Sequence, residues 1–208
     1  DAFATAGRDC TVRLYDESTR TCVTALCGTP TSGVDRMSGG HSNRIFALKW
    51  GGVDPHSLLS AGWDNTVQIW DTRARSAVAS IYGPHVCGDA LDVCGHTVLT
   101  GSWRPEHQLQ EWDLRTCKLA LETSWGNAAT AEGCRLYAAQ FTRHDAGAHI
   151  VAGGSGTNEL KVFSRATHTP TASVVLPRGL YGLCVSSGGD AVATAVGDTE
   201  MRVFSLRM

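Results

Sequence analysis

Residues 58–71 read LLSAGWDNTVQIWD, and this stretch decides the class of fold. A run of small and apolar residues at 58–61 leads into the sequence GWDN at 62–65, and a second apolar run at 66–70 follows. Short apolar runs on either side of a turn that contains Gly and Asn are typical of a β-hairpin rather than of a helix. The stretch is therefore predicted to form two antiparallel strands.

The second of these strands carries large side chains on both faces. Side chains alternate along a strand, so Val67 and Ile69 point to one side while Gln68 and Trp70 point to the other. An aromatic ring opposite two β-branched residues indicates a sheet that is covered on both faces. We therefore expect this strand to lie between neighbouring sheets.

The same pattern recurs along the chain. The related segments are 3–16, 58–71, 98–113, 150–164 and 191–205. Their last residues are 55, 42, 51 and 41 positions apart, which indicates a period of about 40 residues with two insertions. One four-stranded antiparallel sheet per repeat accounts for this period. The chain is predicted to be all-β.

The composition restricts the possible partners. The 208 residues are 42% hydrophobic and 18% charged, with a formal net charge of −2. This balance gives no electrostatic footprint for a polyanion, so no nucleic acid is expected as a partner. No apolar run approaches the ~20 residues of a bilayer-spanning helix, and no signal-peptide pattern opens the sequence, so membrane insertion and secretion are not expected. Homo-oligomerisation is not predicted either.

The eight cysteines are expected to be reduced thiols. They include no C-x-x-C pair, which disfavours a structural zinc site. Cys87 and Cys94 are seven residues apart in an extended segment, and an odd separation sends side chains to opposite faces of a strand. We expect a cytoplasmic protein without metal or cofactor, with a nuclear or ciliary location left open.

The repeats resemble those of the WD-repeat β-propeller family. The second repeat carries the family's marker residues at the family's spacing: Gly40, His41, Ser60, Asp64, Trp70 and Asp71. The pair Trp112–Asp113 repeats the ending, whereas the fourth and fifth repeats end in Phe163–Ser164 and Phe204–Ser205 and lack the Gly-His pair. These two repeats are identified only by their spacing along the chain and by the order of their predicted strands.

The resemblance implies that residues 1–208 form a single partial propeller domain. About five blades are predicted, at about 1–26, 44–81, 88–122, 135–176 and 180–208. The first blade lacks its inner strand and the last lacks its outer strand. Because family propellers commonly have seven blades, about two further blades are expected upstream, supplied by the full protein or by a partner.

The resemblance also assigns roles to the marker residues of the second repeat. His41, Ser60 and Asp64 are the residue types of a hydrolase triad, but in the family these positions form a buried hydrogen-bond network with Trp70. The network ties the loop before a blade to the inner strands of that blade. We therefore predict a structural role for these four residues and no catalytic residues.

Partners of WD-repeat proteins commonly dock on the narrower face of the propeller. The resemblance implies that residues just before the tight-turn Asp, and residues that open inner strands, lie on that face. These candidates are Arg8, Arg44, Trp63, Trp103, Arg104 and Arg178. Trp and Arg are enriched in the hot spots of protein interfaces. The alternative is that the indole rings fold down against their own loops.

Two repeats continue beyond the Trp-Asp pair to an arginine, at Arg73 and Arg115. Consecutive W-D-x-R endings resemble those of substrate receptors for cullin-RING ubiquitin ligases, in which the Arg contacts an adaptor propeller. Alternatively, each Arg pairs with a nearby acid on the rim, as is frequent in WD repeats generally. Both possibilities remain open at the level of sequence.

Three further groups have a structural interpretation. Residues 153–156, GGSG, are predicted to form a turn, because a phosphate loop needs a following helix and a strand is expected there. His144, Asp145 and His149 lack a fourth ligand at suitable spacing and are predicted to be solvated loop residues. Glu111 occupies an otherwise apolar face, so it needs a partner or local exposure.

The sequence as a whole predicts a non-catalytic scaffold for protein–protein interaction within a multiprotein assembly. The loops at about 27–43 and 123–134 are expected to be flexible until they bind, since they are rich in Gly, Thr, Ser and Ala. An enzyme would require acids or His near a central channel. Only Asp89, Asp92 and Asp198 are candidates for that role.

Overall fold

The computed structural model describes residues 2–30, 37–126 and 133–206. Within these ranges every regular element is a β-strand, which confirms the all-β prediction. The chain divides into two compact units, Asp1–His85 and Val86–Met208. The single domain over 1–208 and the seven-bladed ring stay predictions.

The first unit contains two antiparallel sheets and a short hairpin. The three-stranded sheet has the order β1-β2-β3, the four-stranded sheet has the order β6-β7-β8-β9, and β4 pairs with β5. The strands are β1 Ala2–Ala6, β2 Val12–Asp16, β3 Thr21–Leu26, β4 Thr29–Pro30, β5 Met37–Ser38, β6 Ile45–Trp50, β7 Ser57–Gly62, β8 Thr66–Asp71 and β9 Ser76–Tyr82. The hairpin lies in the loop at 27–43 and was not predicted.

The second unit contains three antiparallel sheets. Their orders are β10-β11-β12-β13, β14-β15-β16-β17 and β18-β19-β20. The strands are β10 Leu91–Cys94, β11 Thr97–Gly101, β12 Leu109–Asp113, β13 Lys118–Thr123, β14 Arg135–Phe141, β15 His149–Ser155, β16 Glu159–Ser164, β17 Thr169–Val175, β18 Leu180–Val185, β19 Ala191–Val196 and β20 Met201–Ser205. Every sheet therefore connects its strands in sequence order.

The middle strands are buried on both faces, as the residue pattern at 66–71 predicts. In β8 the residues from Thr66 to Trp70 are all buried. The core of the first unit includes Val12, Leu58 and Trp70, which come from the two sheets of that unit. Burying apolar surface between sheets contributes about 25 cal/mol per Å², so the packing of sheet on sheet stabilises each unit.

The turns between the last two strands repeat one backbone conformation in four sheets. The left-handed residues are Arg20, Arg75, Cys117 and His168. Each has φ between 54° and 57°, and each is the fourth residue after the end of the strand that precedes the turn. A left-handed residue after a tight turn makes a hairpin with a bulge. The register accordingly shifts next to the aromatic residue at Tyr15, Trp70, Trp112 and Phe163.

The first strands of three sheets contain a second kind of bulge. Their register shifts leave one residue out of the ladder: Phe46 in β6, Tyr137 in β14 and Tyr181 in β18. Bulges re-aim the side chain of the extra residue. In all three strands that side chain is aromatic.

Two glycines permit the first strand to approach closely at this bulge. A Cβ atom on Gly62 would collide with the carbonyl oxygen of Arg44, and a Cβ atom on Gly154 would collide with that of Arg135. Both obstacles are backbone atoms, so they cannot move without shifting the strand. Gly153, Gly154 and Ser155 are part of β15, so the prediction of a turn over 153–156 is wrong for these three residues.

In the blade predicted at about 88–122, the first strand begins only at Leu91. A Cβ atom on Gly88 would collide with the carbonyl oxygen of Tyr137, and the N–H of Ala139 donates to the carbonyl of Asp89 at 3.2 Å. The carbonyl of Asp89 therefore bonds to β14 of the next sheet, whereas the carbonyl of Ala90 accepts from the N–H of Gly101 in β11 at 2.8 Å.

The glycine contact at the bulge leads to a testable prediction. Gly154→Ala is expected to lower the free energy of unfolding by about 1–3 kcal/mol, the usual cost of overpacking a tight site. Chemical denaturation measures this change. Gly188→Ala is the matched control, because its Cβ would meet only Asp190 Oδ1, at an ordinary 3.5 Å. Equal effects of the two substitutions would contradict the role given to Gly154.

Candidate protein-interaction site

The structure brings the four marker residues of the second repeat together. The imidazole Nδ1 of His41 lies 2.7 Å from Asp64 Oδ2, and its Nε2 lies 2.7 Å from Ser60 Oγ. The indole N–H of Trp70 donates to the same Ser60 oxygen at 2.7 Å. The network links the loop before β6 to β7 and β8.

The geometry of this network is closed to a substrate. Ser60 and Trp70 are fully buried, and His41 is nearly so. Burial by itself would raise the pKa of Asp64, but hydrogen bonds from the His41 ring, the Ser42 N–H and Thr66 outweigh it and keep that pKa below its ordinary value. A hydroxyl that is sealed in the core cannot act as a nucleophile on an external substrate.

Other sheets contain buried hydrogen bonds of the same kind that are made by different residues. In the sheet that contains β12, the indole N–H of Trp112 donates to Thr100 Oγ1 at 2.9 Å. In the next sheet, the indole N–H of Trp125 donates to Glu159 Oε2 at 2.7 Å, and the buried Lys161 ammonium donates to the Trp125 carbonyl at 2.8 Å. The sequence prediction missed this second network.

Trp125 also changes the description of the loop at 123–134. Its side chain is only 3% exposed and lies 5.4 Å from the ring of Phe163. The loop is thus anchored at residue 125, contrary to the expectation that all of it is flexible until bound. Residues 31–36 and 127–132 of the two predicted loops lie outside the described residues.

Glu111 has a partner that lies 54 positions away in the sequence. Its Oε2 accepts hydrogen bonds from Arg165 Nη2 at 2.7 Å and from Arg165 Nε at 3.0 Å, while Glu111 is 4% exposed. The guanidinium also lies over the ring of Phe141, at 4.7 Å. An ion pair therefore takes the place of the apolar contact that the equivalent strands make.

The three acids considered for catalysis each have a separate partner. Asp92 is fully buried, binds the guanidinium of Arg143 and accepts from the N–H of Phe141 at 2.8 Å. Asp198 pairs with Arg202 at 2.6 Å. Gln140 donates to Asp89 at 3.5 Å. In these contacts each acid is paired with a different side chain.

Asp145 and His149 are not simply solvated, which corrects that prediction for these two residues, whereas His144 is exposed as predicted. Asp145 accepts hydrogen bonds from the side chains of Thr142 and His149 and from the N–H groups of Gly147 and Ala148. The carboxylate thus organises a turn. In the ranges that the structure describes, no group of three or more His, Cys, Asp or Glu side chains is arranged to hold a metal ion.

Arg44 and Trp63 belong to an aromatic cluster in the first unit. The guanidinium of Arg44 lies 4.5 Å from the centre of the Trp63 ring, and the His85 ring is nearly parallel to it at 6.1 Å. Phe46, the bulge residue of β6, lies 5.2 Å from Trp63 and is 37% exposed. We call Arg44, Phe46, Trp63 and His85 the Trp63 patch.

A second cluster in the second unit contains Trp103. Its ring lies 6.4 Å from that of Tyr137, which lies 4.9 Å from that of Tyr181, and the guanidinium of Arg135 lies 5.3 Å from the Trp103 ring centre. We call Trp103, Arg135, Tyr137 and Tyr181 the Tyr137 patch. The sequence prediction missed its last three members. Their shared signal is an aromatic or Arg residue within three positions of the start of a first strand.

The other predicted partner-binding residues differ in exposure. Arg8 and Arg178 are exposed, and Arg104 is half-buried. Trp63 and Trp103 are also half-buried, so each ring packs on its neighbours and keeps part of its surface accessible. Each indole ring therefore packs against neighbouring side chains, as one of the two sequence alternatives predicts, and also keeps surface that a partner could contact, as the other predicts.

Arg73 and Arg115 are held by acids of their own turns. Arg73 contacts both carboxylate oxygens of Asp71, and it reaches Asp54 at 2.9 Å. Arg115 binds Asp113 in the same way, and this hydrogen bond lowers the pKa of Asp113 to about 2. Both guanidinium groups remain exposed at the end of the hairpin.

Serial four-stranded antiparallel sheets with a buried Trp-Ser-His-Asp network define a WD-type repeat protein. Residues 20–71 match the family described as WD domain, G-beta repeat. The resemblance drawn from the sequence is thereby confirmed. No helix in the described part of the chain is long and apolar enough to span a bilayer.

Several curated proteins are similar to parts of the chain. WD repeat-containing protein 1 of Xenopus tropicalis is 38% identical over 90 residues, which is 43% of this chain and 13% of that protein. WD repeat-containing protein slp1 of Schizosaccharomyces pombe is 25% identical over 172 residues, 79% of this chain and 33% of that protein. The APC/C activator protein CDC20 of Saccharomyces cerevisiae is 22% identical over 180 residues, 80% of this chain and 28% of that protein. The chain thus spans about a third or less of these relatives.

The buried network around His41 predicts a loss of stability on its removal. His41→Ala leaves Ser60 and Asp64 without their buried partner, so the free energy of unfolding should fall by about 1–3 kcal/mol. His56→Ala, at an exposed position, is the control. Thermal unfolding of both variants measures the difference. Unchanged stability together with a lost hydrolytic activity would contradict the structural assignment.

The ion pair of Glu111 predicts strong coupling with Arg165. Arg165→Met alone should cost about 3 kcal/mol or more, because it leaves a buried carboxylate unpaired. The double variant Glu111→Leu, Arg165→Met should recover most of that loss, since the equivalent strands carry Leu, Ile or Val at this position. Urea denaturation of the single and double variants gives the coupling energy. Additive losses would show that the two groups do not depend on each other.

Proposed function

We propose that this chain is a non-catalytic scaffold that binds other proteins within a multiprotein assembly. WD-repeat proteins generally act as scaffolds for protein interaction, and residues 20–71 match that family. The single observation that carries the proposal is the pair of partly exposed clusters of aromatic and Arg side chains around the starts of β6, β14 and β18. Aromatic residues and Arg are the types that dominate binding energy at protein interfaces.

Protein partners fit these patches better than a substrate does. The only Ser-His-Asp constellation proposed from the sequence is sealed in the core, as described above. The rings of the Trp63 patch and the Tyr137 patch are instead partly accessible and are held by neighbouring side chains. Pre-positioned rings lose little conformational entropy when they bind. The accessibility and fixed position of these rings favour the binding of a partner protein over catalysis.

The names of relatives support a role in an assembly. One relative is named an APC/C activator protein and another a ribosome biogenesis protein. Each name refers to a large assembly or to its production. We extend the general role, participation in a multiprotein complex, to this chain.

A role as a substrate receptor for a cullin-RING ligase is the alternative. It depends on Arg73 and Arg115, whose guanidinium groups are exposed and are held in similar orientations by Asp71 and Asp113. The same contacts also fit the simpler role of closing the hairpin turn. We therefore favour the general scaffold.

A cytoplasmic location is part of the proposal. None of the eight cysteines, all of which lie in the described ranges, is in a disulfide. Reduced thiols are typical of cytosolic proteins. This observation supports a reducing compartment.

The patches predict which substitutions weaken partner binding. Phe46→Ser in the Trp63 patch and Tyr181→Ser in the Tyr137 patch should each be compared with the unsubstituted full-length protein by quantitative affinity purification. Loss of a hot-spot ring typically costs ~2 kcal/mol, so at least one partner should be depleted about tenfold or more.

Val78→Ser is the control for this experiment. Val78 is 58% exposed on the outer strand β9 and belongs to neither patch, so its substitution changes an apolar surface residue that the proposal does not use. It should leave partner recovery unchanged. Retention of every partner by both patch variants would refute the proposed function.

A further inference from the structure

The aromatic rings of the Tyr137 patch contact one another in a row, and arginine side chains lie beside them. The ring planes of Trp103 and Tyr137 meet at 67°, and those of Tyr137 and Tyr181 meet at 62°. Tyr181, at the open end, is 53% exposed. These edge-to-face contacts are favourable and fix the orientation of each ring.

Arg178 lies at the same end of the patch. A Cβ atom on Gly197 would lie 2.9 Å from the ring of Tyr181 and 3.7 Å from Cβ of Arg178. Both side chains therefore flank one glycine. Arg178, an exposed residue, therefore lies beside Tyr181 at this end of the patch.

The arginines of this surface differ from most others in the described part of the chain. Six arginines there contact a carboxylate within 4.0 Å: Arg13, Arg73, Arg115, Arg143, Arg165 and Arg202. No such contact is present for Arg135 or Arg178 among the described residues. Arg135 instead lies over the ring of Trp103. Two cations beside exposed rings are therefore available to an anionic ligand.

We propose that the Tyr137 patch together with Arg178 binds an acidic, extended segment of a partner protein. The inference rests on the proposed function and specifies the chemistry of its partner. Guanidinium groups bind carboxylates in a bidentate geometry, and such charge-assisted hydrogen bonds are stronger than neutral ones. The tyrosine rings between the two cations supply apolar contact for the intervening residues.

The geometry disfavours two other ligands. A methylated lysine would bring a cation toward a ring that Arg135 already covers, and like charges repel. A single-stranded nucleic acid stacks its bases on the open faces of aromatic side chains. Here the edge of each ring is directed at the face of the next, so the patch offers no series of parallel faces.

Selection from a display library of random 12-residue peptides tests the proposal on the full-length protein. Selected peptides should be at least threefold richer in Asp and Glu than the starting library. Fluorescence anisotropy with the selected peptides then gives their affinity. Because charge pairing is screened by salt, affinity should fall when sodium chloride is raised from about 50 mM to about 300 mM.

Three variants locate the binding site. Arg178→Glu and Tyr181→Ser should each weaken the selected acidic peptides at least tenfold. Lys118→Glu is the matched control, since Lys118 is exposed on the outer strand β13 of the same unit. It makes the same change in charge and should alter affinity less than twofold.

Each other outcome overturns the inference. Selection of neutral or basic peptides, no enrichment at all, or equal effects of Arg178→Glu and Lys118→Glu would exclude acidic recognition at this patch. Tighter binding of a 15-nucleotide single-stranded RNA than of the peptides, lost in Tyr181→Ser, would assign the patch to nucleic acid. If partners are still depleted by Tyr181→Ser when acidic peptides fail, the scaffold function stands and only the acidic preference falls.

Discussion

The close approach of a first strand to the glycine that faces it is the constraint on which both patches depend. At Gly154 the carbonyl group of Arg135 occupies the space that a Cβ atom would need, and Gly62 has the same relation to Arg44. The first strand reaches this position through a bulge, and the bulge removes one aromatic residue from the ladder. The backbone geometry of the bulge therefore sets the positions of Phe46 and Tyr137 in the two patches.

Buried polar networks hold the loops that lead into these strands. Each sheet must bury the end of such a loop, and buried polar groups are costly unless they are hydrogen-bonded. One sheet meets this requirement with His41 and Ser60, whereas another uses Trp125, Glu159 and Lys161. The feature that these two sheets share is a hydrogen-bonded link between loop and strand. The residue types that form the link differ from repeat to repeat.

Structural features that depend on local sequence pattern can be predicted from the sequence. Contacts between residues that are far apart in the chain cannot. Alternation and turn residues predict the strands, and the family spacing predicts the contacts of Ser60. No local signal connects Glu111 with Arg165, because their pairing requires two sheets to be in place. The bulge at Tyr137 is also hidden, since an extra residue in a strand does not alter its composition. Alternation alone would assign that ring to the wrong face.

The distribution of arginines separates groups that serve the fold from groups that are free to bind. Arg73 and Arg115 pair with an acid two residues earlier, so their charges stabilise their own turns. Arg165 pairs with a buried acid of another sheet and neutralises it. Arg135 has only a ring beneath it among the described residues, and a guanidinium on an aromatic face keeps its donors directed outward. An apolar side chain could pack on that ring equally well, so the positive charge of Arg135 adds little to folding. Recognition of an anion is therefore the role that best fits its chemistry.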